Sequence, residues 1–233
     1  MKRALLLVSL GVLCAGAAVA EAAAPKVRQM VVFRDGGAVT KQVTARKALV
    51  RVGRRRCAAG AGTALAALVR SHVGRVRLRD FGSCSRRPRD GAGLFVAGIG
   101  PDRNRGRNGW AYKVGRRGAT AGAADPSGAF GNGRLRGGQR VTWFWCRLGN
   151  RGCQRSLVLR LRSEAGAVVA TVRGYNDEGE GVPVEGATVR AGGAEALTGA
   201  DGTARLALAA GSYRALATKD GLVRSFSERV EVP

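Results

Sequence analysis

The residues best equipped for chemistry are the cysteines: Cys14, Cys57, Cys84, Cys146 and Cys153, set against a single histidine, His72. Cys146 closes the aromatic run Val141-Thr-Trp-Phe-Trp-Cys146, and Cys153 follows after Arg-Leu-Gly-Asn-Arg-Gly. A thiol beside aromatic rings can be a nucleophile, a metal ligand or half of a disulfide. Zinc needs closely spaced cysteine or histidine ligands, and one histidine with no close cysteine pair does not supply them. The other two roles depend on the compartment.

The chain opens MKRALLLVSLGVLCAGAAVAEAAAP. Two positive charges, an apolar run and Ala-x-Ala patterns have the layout of a secretory signal peptide over residues 1–24, cut after Ala20 or after Ala24. Cys14 leaves with it. No later segment is apolar enough to hold the mature chain in a membrane, so a secreted or cell-surface protein is expected. Four cysteines in an exported chain read as two disulfides, with three possible pairings. Cys57–Cys84 and Cys146–Cys153 are the pairings expected here, the second because its intervening glycines let the chain turn back. Loop closure gives about 3.6 kcal/mol for the first bridge and about 2.5 kcal/mol for the second.

The other candidate is the loop Asp102-Arg-Asn-Arg-Gly-Arg-Asn-Gly109, which carries Arg103, Arg105 and Arg107. Trp110 and Tyr112 follow on one strand face. Arginines beside stacking rings suit an anionic or sugar-bearing ligand. The plainer reading makes the rings core and the arginines solvated. Catalysis finds little support. His72 falls in a helical pattern with Leu65, Leu68 and Val69, and the five acids of residues 25–155 all stand in turn-like contexts. The acidic run Asn176-Asp-Glu-Gly-Glu180 lacks the alternating spacing of a calcium loop, so Asp177, Glu178 and Glu180 are expected in a solvated turn. No cofactor or metal is expected.

Charge divides the chain. Residues 25–155 hold 29 of the 40 Lys and Arg against five acids, whereas residues 156–233 hold nine bases and ten acids. Such asymmetry marks two domains, 25–155 and 156–233. It points to an anionic partner for the first, such as a cell-wall polyphosphate, or to an envelope protein. The excess of Arg over Lys, with abundant Ala and Gly, also fits a GC-rich genome. Nucleic acid would adhere to this surface, but export removes it as a physiological target.

The elements that must position these residues are mostly strands. Val27–Phe33 and Ala38–Thr44 form a hairpin about Asp35-Gly36-Gly37. Thr63 caps a helix beginning at Ala64, and strands follow at Val76–Leu78, Leu94–Ile99, Trp110–Val114 and Val141–Cys146. In the last of these, Val141, Trp143 and Trp145 share one face; Thr142, Phe144 and Cys146 share the other. The fold class expected is mainly β: a β-grasp-like α+β domain with one helix, then a small β-sandwich with strands at 171–175, 187–190, 203–208, 212–218 and 225–232.

The order "GTALAALV", "GWAYKV" (Gly109–Val114) and "LRGGQRVTWFW" (Leu135–Trp145) resembles the transcobalamin C-terminal-like β-grasp domains over residues 26–155. Gln139 stands where that pattern carries Asp, which removes a turn acceptor, and Gly115 where Asn often follows the valine. In cobalamin carriers such a domain closes over a ligand held mainly by a separate helical domain, which this chain lacks. Pro183-Val-Glu-Gly-Ala-Thr-Val189, Thr198-Gly-Ala-Asp-Gly202 and Ala210-Gly-Ser-Tyr213 resemble the carboxypeptidase regulatory-like, prealbumin-type domains over residues 160–233. That resemblance implies a spacer, stabiliser or adhesion module. The combined expectation is an exported, non-catalytic surface-binding protein. The alternatives are a structural or adhesion protein, or a small-ligand (cobalamin-like) binder.

Overall fold

The structure, a computed structural model, describes residues 23–233. The leader expected over residues 1–24, with Cys14 and the cleavage after Ala20, lies almost wholly outside the described residues.

The chain is mainly β, with one α-helix among the described residues. Its first part runs β1 (Lys26–Val32), β2 (Ala38–Thr44), β3 (Ala48–Val52), β4 (Arg55–Ala59), α1 (Ala64–Arg70), β5 (Val76–Asp80) and β6 (Leu94–Ile99). It continues with β7 (Asp102–Arg103), β8 (Gly109–Val114), β9 (Arg117–Gly118) and β10 (Arg140–Cys146). Five strands form one sheet in the order β2-β1-β10-β8-β9. Its centre is a parallel pair, β1 with β10, in which Arg28 faces Arg140 and Val32 faces Phe144. A hairpin flanks each side. First and last strands paired in parallel, with a helix across one face, make the β-grasp-like arrangement.

Strand alternation decides what each face buries. Val27 and Val31 of β1 and Val141, Trp143 and Trp145 of β10 enter one core with Leu65 and Leu68 of α1. Thr63 starts the helix as expected: its Oγ1 accepts from the Ala66 amide at 3.2 Å and donates to the Gly60 carbonyl at 2.8 Å. The expectation for His72 is corrected. The helix ends at Arg70, Ser71 caps it, and His72 stands exposed with φ +50° instead of on the apolar face. Gln139 brings a second correction. Its Oε1 accepts from the Arg136 amide at 2.8 Å, so the turn before β10 keeps an acceptor that the longer side chain supplies.

The second part is a sandwich. One sheet joins β11 (Ser156–Glu164), β12 (Ala167–Tyr175), β13 (Gly181–Pro183) and β16 (Thr203–Ala207). The other has the order β15 (Ala194–Leu197), β14 (Thr188–Ala191), β17 (Gly211–Thr218), β18 (Glu228–Val232). Leu159, Val168 and Val172 of the first sheet meet Val189, Ala217 and Val230 of the second in a separate core. The Asp201-Gly202 turn requires its glycine: φ is +76°, and a Cβ there would stand 2.6 Å from the Val172 carbonyl oxygen. The strand expected over 225–232 begins only at Glu228, because Ser225 bonds its own surroundings, accepting from the Ala217 amide through Oγ.

Both expected disulfides are present, Cys57–Cys84 and Cys146–Cys153. The second ties the end of β10 to the segment entering β11. The face of the first sheet turned away from the helix is covered too. Met30, Val32, Phe144 and Cys146 pack on Val223 and Phe226 of the sandwich.

Candidate functional site

The β5–β6–β7 sheet and the start of β8 enclose an open cleft of about 780 Å³. Arg103, Arg107 and Trp110, expected from the sequence, border it, together with Arg77, Arg79 and Phe95. Arg105 does not line it; it closes a tight turn by pairing with Asn108. Tyr112 lies in a second, neighbouring cleft.

The local chain explains the geometry. Asn104 is the organiser: its amide donates to the Ala97 carbonyl, its Nδ2 to the Val96 carbonyl, and its Oδ1 accepts from the Trp110 amide at 2.8 Å. The arginine loop is thereby pinned to both β6 and β8. Trp110 is buried; its Nε1 donates to the Asp102 carbonyl at 3.1 Å, and Phe33 meets its ring edge-on at 5.9 Å. The indole is a wall, with its polar edge already occupied.

Arg77 and Arg79 were missed by sequence reasoning, which treated Val76–Leu78 only as a short strand. The alternation Arg75-Val-Arg-Leu-Arg79 is the signal that could have found them, since period-two placement sends arginines to one side. Phe95 pairs with Arg79 across the β5–β6 ladder and is 44 % exposed, so it presents its ring to solvent at the rim.

The electrostatics are one-sided. The cleft lining holds four arginines and no carboxylate, and the Arg77 guanidinium donates to the Gly100 carbonyl. Among the described residues none of Arg77, Arg79, Arg103 and Arg107 lies in an ion pair. Asp102, next to Arg103, instead accepts from the Arg34 amide at 2.8 Å, and Asp80, next to Arg79, accepts from the amides of Gly82 and Cys84.

The neighbouring cleft, about 500 Å³, shares Phe95, Trp110 and Ala111 with the first and is more apolar. Tyr112, Ala119 and Trp143 line it. Tyr112 stacks on Trp143 at 4.9 Å, and its hydroxyl donates to the Ala121 carbonyl at 2.9 Å. Burial, reinforced by Asp125, raises the phenol's pKa well above its ordinary value of 10.0. Asp177, expected in a solvated turn, is tied down. It pairs with the fully buried Lys113 at 3.2 Å and accepts from the Cys153 amide at 3.1 Å. Among the described residues no group of three or more His, Cys, Asp or Glu stands close enough to hold a metal ion, and no helix is long and apolar enough to cross a membrane.

Compared with protein-family models, with curated proteins and with solved structures, the chain matches none.

Proposed function

We propose that this is an exported, disulfide-stapled, non-catalytic binding protein that attaches through its arginine-lined cleft to an anionic polymer of the cell envelope. The observation that carries the reading is the set of four arginines, Arg77, Arg79, Arg103 and Arg107, that line one cleft without a carboxylate. Guanidinium stays protonated throughout the physiological range, so these groups hold an anion but do not shuttle protons. Their planar forks suit carboxylate or phosphate oxygens. Disulfides and the signal-peptide layout of residues 1–24 support export. Under this reading the sandwich acts as a spacer, in keeping with its resemblance to carboxypeptidase regulatory-like modules, and the first part is a transcobalamin C-terminal-like domain adapted to anions. The more apolar cleft beside Tyr112 favours a second reading, a small ligand held there.

Binding of the mature chain to long-chain polyphosphate across a salt series tests the first reading. Affinity should fall steeply and linearly on a log–log plot, because counterions are released and the charges are screened. Replacing Arg103 and Arg107 by Ser should weaken binding about tenfold per guanidinium, the loss typical of a charge-assisted contact. Salt-independent affinity, or unchanged affinity in the variant, would refute attachment at this cleft.

A further inference from the structure

A second cationic surface lies outside the cleft and is assembled by a disulfide. Arg54, Arg55 and Arg56 immediately precede Cys57, and Arg86, Arg87 and Arg89 follow Cys84; the Cys57–Cys84 bridge joins the two runs. Just beyond it the Ala58 amide donates to the Ser85 carbonyl at 2.7 Å, which fixes the runs side by side. All six arginines are exposed. Only Arg89 reaches a carboxylate, Asp90 at 3.7 Å, among the described residues.

Beside this patch stands Phe81. It is 73 % exposed, the most exposed large apolar side chain among the described residues, and meets Phe95 edge-on at 5.8 Å. The chain holds it outward. Asp80 accepts from the amides of Gly82 and Cys84, both at 3.0 Å, and the Phe81 amide donates to the Gly93 carbonyl. The acid adjacent to Phe81 in sequence is thus spent on the turn.

We propose that this disulfide-centred patch is a landing surface for an anionic lipid bilayer, with Phe81 entering the boundary between headgroups and acyl chains while the six arginines meet headgroup phosphates. Interfacial binding of this kind combines apolar insertion with attraction to anionic lipid. Arginine stems lie along the apolar boundary while their charged ends stay hydrated. A soluble polyanion would engage the arginines but leave Phe81 without a role, and the exposed ring is what selects the bilayer. The patch abuts the cleft where Phe81 meets Phe95, but the cleft lining includes neither Phe81 nor any of the six arginines.

Co-sedimentation of the mature chain with vesicles of phosphatidylglycerol and phosphatidylcholine, compared with phosphatidylcholine alone, provides the test. Binding is expected only to the mixed vesicles. Phe81→Ser should weaken it about tenfold, in line with the loss of one partly inserted ring, and leave binding to soluble polyphosphate unchanged. Arg55→Ser with Arg86→Ser should weaken it as well, whereas Arg103→Ser with Arg107→Ser should not. No binding to anionic vesicles, or equal binding by the Phe81→Ser variant, overturns the proposal. Loss of vesicle binding on changing Arg103 and Arg107 would also overturn it, because the contact would then belong to the cleft. The polyphosphate measurement stands or falls separately.

Discussion

Lys113 shows how far one residue's surroundings can depart from its sequence context. In Gly109-Trp-Ala-Tyr-Lys-Val114 it alternates with buried neighbours and reads as the solvent-facing position of a half-buried strand. It is instead fully buried, because the sandwich covers that face. Its Nζ donates to the carbonyls of Tyr175 and Asn176, each at 2.9 Å, and pairs with Asp177. Each partner lies more than sixty residues away in the other part of the chain, beyond the reach of local pattern. Lys113→Met leaves two carbonyls and a carboxylate short of a donor and should cost about 3 kcal/mol, read as a lower denaturant midpoint. Burial also holds the amine's pKa below its ordinary 10.5. The unfolded chain therefore binds this proton more tightly, and the penalty is full below the folded-state pKa. It is relieved as pH rises from there to 10.5, so the parent should gain on the Met variant over that interval.

At the scale of elements, legibility followed chemistry with a strong local signature. Thr63 before an alanine-leucine run announced α1, and the cap geometry matches. Thr63→Ala should destabilise the fold by about 1 kcal/mol, measurable as a shift in the chemical denaturation midpoint, since the Ala66 amide loses its acceptor. Strands β3 and β4 carried no such signature. Val50-Arg-Val-Gly-Arg-Arg-Arg56 reads as a charge run, yet it folds into a hairpin with Val50 opposite Cys57. That pairing is held from outside, by the disulfide and by the cluster into which Val50 and Val52 pack. The arginine cleft was half legible for the same reason. Arg103, Arg107 and Trp110 stood in one contiguous stretch, but Arg77, Arg79 and Phe95 reach the cleft through sheet pairing.

Over the whole molecule, charge asymmetry becomes a means of joining the two parts. Arg28 and Arg140 both pair with Glu228 and both stack over Phe226, at 5.1 and 5.3 Å from the ring centre. Of the four ion pairs made by described residues before Ser156, three cross to acids of the sandwich. The sequence displayed the imbalance, but not that part of it is answered across the junction. Phe226→Ala opens a cavity there and should cost about 3–4 kcal/mol. Calorimetry should show one unfolding transition for the parent and a broadened or split one for the variant, as the two cores lose their shared packing. A variant that melts as one sharp transition at the parental temperature would show that the junction contributes nothing to cooperativity.

The parallel pairing of β1 with β10 sets the order of events during synthesis. Its partners, such as Arg28 and Arg140, stand more than a hundred residues apart, so closing the sheet carries a long loop and a high contact order. Until Cys146 has left the ribosome, β1 and β2 have no central neighbour, and α1 has only part of the surface it covers. The first part of the chain must therefore remain open through most of its own production. Under the proposed export this is an advantage: a first part whose keystone strand arrives late stays threadable until that part has nearly all been made.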